Sequence, residues 1–183
     1  MDPVRVGVVG VGYLGRHHAR IYSELPGVEL VGVVDINQER AKEVAELYST
    51  TAFFDYRDLF GKVDAVSIVV PTVIHRDIAG GFIEEGINIL IEKPVTTSLK
   101  EAKELMEMAN RNKVVLQVGH IERFNSAVVE LSKIVDRPIF IDCSRMGPYV
   151  GRNTDVGVVL DLMIHDIDIV MSIVRDKVVK INA

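Results

Sequence analysis

Short runs of branched apolar residues alternate along the chain with stretches whose apolar positions recur at helical spacing. Residues 4–10, 28–35, 51–54, 64–71, 87–91 and 114–118 read as strands. Residues 14–25, 38–48, 73–85 and 99–111 read as the helices between them, with Gly86 closing one in the usual C-terminal role. The strands are apolar on both faces, which is the mark of a parallel sheet covered on both sides. Strands alternating with helices in this way predict a doubly wound α/β domain ending near Gly119.

The pattern changes after that point. Residues 125–135 read as a helix, 138–145 as a strand with a more alternating character, 149–154 as a loop, 155–174 as a long helix and 178–181 as a further strand. Two strands cannot bury a sheet face by themselves, so residues 120–183 are expected to be the start of a second, incomplete domain after a first spanning 1–119.

The totals narrow the classes. Of 183 residues, 48% are apolar, enough for a packed core, and the net charge of −5 argues against a nucleic-acid binder. No apolar run approaches a membrane span, and no signal peptide precedes the first strand pattern. Cys143 is the single cysteine, which fits a reducing cytoplasm, and is expected to be a small buried residue on its strand.

Three motifs carry chemistry. The first is Gly10-Val11-Gly12-Tyr13-Leu14-Gly15, which follows a strand and opens a helix. Gly10 suits the tight turn, Gly12 lets backbone approach a pyrophosphate, and Gly15 allows close helix–strand packing. Asp35 stands at the end of the second strand, where a carboxylate binds a ribose 2′-hydroxyl and repels a 2′-phosphate, so NAD is favoured over NADP. Ile36 and Asn37 offer no cation, and Arg40 is expected to face solvent.

The second motif is Glu92-Lys93-Pro94, at the carboxyl end of a strand, where α/β sheets place their ligands. Lys93 there can donate to a substrate oxygen or give up a proton, and Pro94 holds it in extended geometry. Pro71-Thr72 closes another strand, and His75 just beyond is a candidate to line the cofactor site. The third motif is Asp161, His165 and Asp168, within a ~60° arc of an otherwise apolar helix. Buried charges need partners, and a lysine brought from elsewhere is the expected one. No third strong ligand accompanies the Asp/His pair, so no metal is expected. His17 and His18 are expected to be surface or packing residues.

Taken in order, GVGYLG, Asp35, VPTVIH (70–75), EKP, VGHIERFN (118–125) and DLMIHDID (161–168) resemble the Gfo/Idh/MocA oxidoreductases. The resemblance implies a Rossmann domain followed by an open-faced α/β domain used for substrate binding and oligomerisation. It implies hydride transfer from a sugar or cyclitol carbon, with Lys93, Asp161 and His165 catalytic and a cis Lys93–Pro94 bond. It extends the cofactor set to Tyr13, Leu14, Ile36, Val70, Pro71, Thr72, His75, Glu92 and Lys93. Residues 118–125 and 154–168 resemble the branch that oxidises the 3-hydroxyl of a UDP-N-acetyl-hexosamine. Its implied substrate residues are Lys93, His120, Arg123, Asn125, Arg145, Arg152, Asp161 and His165, with the arginines meeting the diphosphate. Family members are much longer, so most of the second sheet is expected to be missing. The rival expectations are a free-sugar or inositol dehydrogenase and a non-catalytic NAD-binding module. The expected partners are a small-molecule sugar or nucleotide-sugar and further copies of the chain, with no nucleic acid and no membrane.

Overall fold

In the computed structural model, residues 2–146, 157–174 and 176–182 are described. The chain divides into two compact units, Met1–Gly119 and His120–Ala183.

The first unit is a single parallel sheet. Its strands are β1 (Val4–Val9), β2 (Val28–Val34), β3 (Thr51–Phe53), β4 (Ala65–Ile68), β5 (Asn88–Glu92) and β6 (Leu116–Gly119). Its helices are α1 (Tyr13–Glu24), α2 (Gln38–Leu47), α3 (His75–Glu84) and α4 (Leu99–Asn112). The strand order is β3-β2-β1-β4-β5-β6, and every neighbouring pair is parallel. The order reverses between β1 and β4, so the crevice of the topological switch opens beyond their carboxyl ends.

Period-two alternation sorts the strand side chains into two cores. Val8, Val11, Val33, Ala19, Val44 and Ala45 pack together on the side of α1 and α2. Val9, Val34, Ile68, Ile89 and Ile91 pack with Phe82, Ile83, Leu105 and Met108 on the side of α3 and α4. Phe82 is fully buried and meets the rings of Phe60 and Tyr56 at centroid distances of 5.2 and 5.7 Å. Tyr56 belongs to a 3₁₀ turn, Tyr56–Leu59, that the apolar pattern does not announce.

Local chemistry sets the helix ends. Asn37 Oδ1 accepts from Arg40 N–H at 3.0 Å to start α2, and Ser98 Oγ accepts from Glu101 N–H at 3.3 Å to start α4. Gly86, with φ 72°, takes the left-handed position after α3, as its sequence position predicts.

The second unit has α5 (Ser126–Ile134), a π-helical segment (Val159–Met163) and α6 (Ile164–Ile173). The segments 138–145 and 178–181 are not strands: no ladder forms along either. A strand needs a partner for its N–H and C=O groups, and neither segment has one among the described residues. Cys143 is correspondingly exposed rather than buried. The expected loop 149–154 and the first residues of the expected long helix lie outside the described residues.

Candidate active site

The carboxyl ends of β1, β2, β4 and β5 bring the glycine loop, Asp35, the Val70–Thr72 corner and Lys93 to one edge of the first unit's sheet. Each glycine of the loop has a different physical reason to be there. Gly10 has φ 85°, and a Cβ on it would strike the Val69 carbonyl oxygen. A Cβ on Gly15 would land on the Gly10 carbonyl oxygen. A Cβ on Gly12 would meet nothing within 4 Å. Gly12 therefore leaves space open at the N-terminus of α1, where no side chain caps the first-turn N–H groups.

Asp35, at the end of β2, is 6% exposed. Its Oδ1 accepts from Asn37 N–H at 2.8 Å, and its Oδ2 accepts from Val11 N–H at 3.1 Å. These backbone donors tie the carboxylate to the glycine loop. Arg40 also reaches it, with Nη1 3.3 Å from Oδ2, so Arg40 does not simply face solvent as its helical phase suggested. A cleft of about 610 Å³ opens here, lined by Val11, Gly12, Tyr13, Asn37 and Arg40 among others. Arg16, on the same cleft, pairs with Glu43. A dinucleotide fits this arrangement: open space and a helix N-terminus for its pyrophosphate, and an oriented carboxylate for a ribose hydroxyl. Tyr13, Leu14 and Ile36 are all exposed around it, and Tyr13 packs edge-on to His17.

At the next strand ends, Val70, Pro71 and Thr72 turn away from β4 and lead into α3. His75 is only 1% exposed and sits behind this corner. Its Nε2 is 2.9 Å from the Val70 carbonyl oxygen, and its Nδ1 is 3.0 and 3.2 Å from those of Pro94 and Val95. Its imidazole thus stands between the corner after β4 and the segment after β5, one ring nitrogen toward each. The Lys93–Pro94 bond is cis. Lys93 is half-buried. Glu92, one residue earlier, is buried and lies 3.2 Å from His18 Nε2. His18 is therefore more than a surface or packing residue. The signal was its place on the stripe Gly15, His18, Ala19, Tyr22, the inward face of α1.

In the second unit, Asp161 lies in the π-helical segment and His165 in α6. Backbone bonding there is wider than in an α-helix, so the constant angular step assumed from sequence does not apply between them. Two acids nearby, Asp168 and Asp166, are held by arginines. Arg123 forks Asp168 with two contacts of 2.6 Å, and His120 Nδ1 is 3.8 Å from the same carboxylate. Arg145 grips Asp166 with Nη2 at 2.8 Å and Nε at 3.1 Å. Both guanidinium pKa values are raised by these hydrogen bonds to carboxylates. Asn125 caps α5, its Oδ1 accepting from Ala127 N–H at 3.0 Å. Arg152 lies outside the described residues. Among the described residues no cluster of His, Cys, Asp or Glu could hold a metal. No helix among them is long and apolar enough to cross a membrane.

A parallel sheet in this order, with a glycine cradle and an oriented acid at the end of β2, defines a dinucleotide-binding Rossmann protein. Residues 4–120 match the Gfo/Idh/MocA oxidoreductase family, NAD-binding Rossmann fold, and the chain belongs to that family. Along its whole length it is 40% identical to UDP-N-acetylglucosamine 3-dehydrogenase of Acidithiobacillus ferrooxidans, of which it spans 58%. A solved structure of that enzyme superposes with a TM-score of 0.91 over 98% of this chain and 59% of that one. An inositol 2-dehydrogenase/D-chiro-inositol 3-dehydrogenase of Halalkalibacterium halodurans is 32% identical over 95% of this chain and 53% of its own length. GenD2 from gentamicin A biosynthesis, solved with NAD, is 27% identical, with a TM-score of 0.71 over 73% of this chain and 39% of that one.

Proposed function

We propose that the chain carries the cofactor-binding and proton-handling residues of an NAD-dependent dehydrogenase acting on the 3-hydroxyl of a UDP-N-acetyl-hexosamine. The observation that carries the reading is the open cradle at Gly12 beside the oriented Asp35, in a chain 40% identical throughout to a UDP-N-acetylglucosamine 3-dehydrogenase. NAD, when bound, accepts the hydride from the sugar carbon. Gly10, Gly12, Gly15 and the first turn of α1 receive the pyrophosphate, and Asp35 accepts from the ribose hydroxyl. Tyr13, Leu14 and Ile36 border the cofactor, and the Val70–Thr72 corner, with His75 behind it, and the Glu92–Lys93 strand end shape the reacting end. Lys93 stands at the substrate hydroxyl and takes part in handling its proton. Asp161 and His165 form a second titratable pair for that proton.

In this proposal residues 1–119 are the cofactor domain and 120–183 the opening of a substrate and oligomerisation domain. Exposed Val179 and Ile181 support self-association. The cytoplasm, which supplies NAD and keeps Cys143 reduced, is the proposed site of action.

A second reading, oxidation of an uncharged cyclitol or free sugar, is favoured by one observation. Arg123 and Arg145, the described arginines expected to meet a diphosphate, are already forked to Asp168 and Asp166. Their role becomes the orientation of α6, leaving Arg152, His120 and Asn125 as candidate substrate contacts. Reduced-nicotinamide absorbance over UDP-sugars, free sugars and inositol decides between the readings, with calorimetry for NAD binding. Turnover of a UDP-sugar that is lost in Lys93→Met is expected. Turnover of inositol alone selects the second reading, and absence of NAD binding sinks both.

A further inference from the structure

We propose that His18 is a positioning residue that, through Glu92, fastens the carboxyl end of β5 to the helix opening the dinucleotide cradle, and so fixes where Lys93 stands. This inference rests on the reading of Lys93 as the proton-handling group.

Glu92 is the last residue of β5 and is 8% exposed. Ile89 and Ile91 belong to the core on the α3 and α4 side, so alternation turns Glu92 toward α1. Space for its carboxylate exists because its partner on β6 is Gly119. A Cβ there would come within 2.8 Å of Glu92 Oε1. His18 Nε2 approaches the same oxygen at 3.2 Å. On the other side of the imidazole, Nδ1 lies 3.2 Å from the Ser67 hydroxyl, which is 2.7 Å from the Tyr22 hydroxyl. Ser67, on β4, is fully buried.

These groups form a chain whose donors and acceptors match. With a neutral imidazole, Tyr22 O–H donates to Ser67, Ser67 O–H donates to His18 Nδ1, and His18 Nε2–H donates to the carboxylate. A buried carboxylate is costly unless it is hydrogen-bonded, and removing one partner leaves the other uncompensated. The partner used here comes from a particular place. His18 follows Gly15 by one helical turn, so the helix that seats the pyrophosphate also holds the end of β5. On the opposite face His75 grips the carbonyls of Pro94 and Val95. The residues on either side of Lys93 are thus held by two histidines from two different helices. Proton transfer demands hydrogen-bond reach, and a 1 Å misplacement is worth about 100-fold in rate.

The test compares His18→Ala, His18→Gln and Lys93→Met by amide hydrogen exchange, NAD calorimetry and turnover. In His18→Ala, exchange across residues 88–95 accelerates by about tenfold or more, while β1 and β4 keep their protection. His18→Gln, whose side-chain amide can donate to Glu92, restores most of it. NAD affinity stays unchanged in both, and turnover of His18→Ala falls by about 100-fold. Unchanged exchange at residues 88–95 overturns the proposal. So does equal acceleration through the whole first unit, or a His18→Gln chain no better protected than His18→Ala. Failure of the lysine reading shows separately, as turnover retained by Lys93→Met whatever the exchange result.

Discussion

Met1–Gly119 and His120–Ala183 both draw heavily on Val, Ile, Leu and Met, but they hide them unequally. In the first unit Phe82, Leu59, Ile83 and Leu105 are withdrawn fully from water. In the second, neither α5 nor α6 buries a residue, and Phe140, Val179 and Ile181 are more than 80% exposed. The difference lies in topology rather than composition. A parallel sheet wound in both directions from its centre covers each of its faces with its own crossover helices. The described helices and ladder-free extended segments of the second unit have no such internal solution. Fixed points in the second unit come from ion pairs instead, Arg123 with Asp168 and Arg145 with Asp166.

Truncating one large ring in each unit tests that contrast most severely. Phe82→Ala is expected to cost about 3–5 kcal/mol, read from the denaturant midpoint. Phe140→Ala should change stability by less than about 0.5 kcal/mol. Equal costs would mean that Phe140 is covered in solution and that the contrast fails.

A change within the cradle separates binding from folding. Gly12→Ala puts a Cβ into the open space without meeting a neighbour, so NAD affinity should fall by about tenfold, or 1.4 kcal/mol, with the melting temperature unchanged. Gly15→Val, aimed at the Gly10 carbonyl oxygen, should instead destabilise the first unit.

Arg123→Ala probes the ion-pair frame of the second unit. The guanidinium is about half exposed, at 48%, so screening limits the expected loss to about 1 kcal/mol or less. That loss should shrink further in high salt, whereas the Phe82 effect should not.

The smallest effect belongs to Asp64, which accepts from the Arg5 backbone N–H and side chain. Those hydrogen bonds hold its carboxyl pKa below the ordinary range. The native state therefore binds the proton less readily than the unfolded chain. The pair's contribution is present above the unfolded value of about 3.9 and lost as pH falls through the lower folded value. Asp64→Asn should lower stability slightly at neutral pH, where the contribution is present, and change it least in acid, so that the acid limb flattens.

Much of the first unit was legible because its signals are local. Apolar runs, strand-end glycines and Ser98 or Asn37 at helix starts each act within a few residues, and the observed ends differ from expectation by three residues at most. The 3₁₀ turn at Tyr56–Leu59 was not legible, because Tyr56 packs on a ring from α3, that of Phe82. Likewise, Glu92 and Lys93 were picked out by the motif, but the His18–Ser67–Tyr22 chain beneath them joins residues far apart in sequence. In the second unit, alternation along 138–145 suggested a strand, but pairing depends on a neighbour that local pattern cannot supply.

Arg40 gives the cofactor seat one further property. It occupies Oδ2 of Asp35, which already accepts from Val11 N–H, while Oδ1 takes Asn37 N–H. A carboxylate has about four acceptor sites and three are taken, so an arriving ribose hydroxyl finds one left, with a guanidinium standing beside the 2′ position. The choice between a hydroxyl and a phosphate there becomes a contest between Asp35 and Arg40. Because the Arg40 contact is half exposed on its guanidinium side and screened by salt, the outcome should shift with ionic strength.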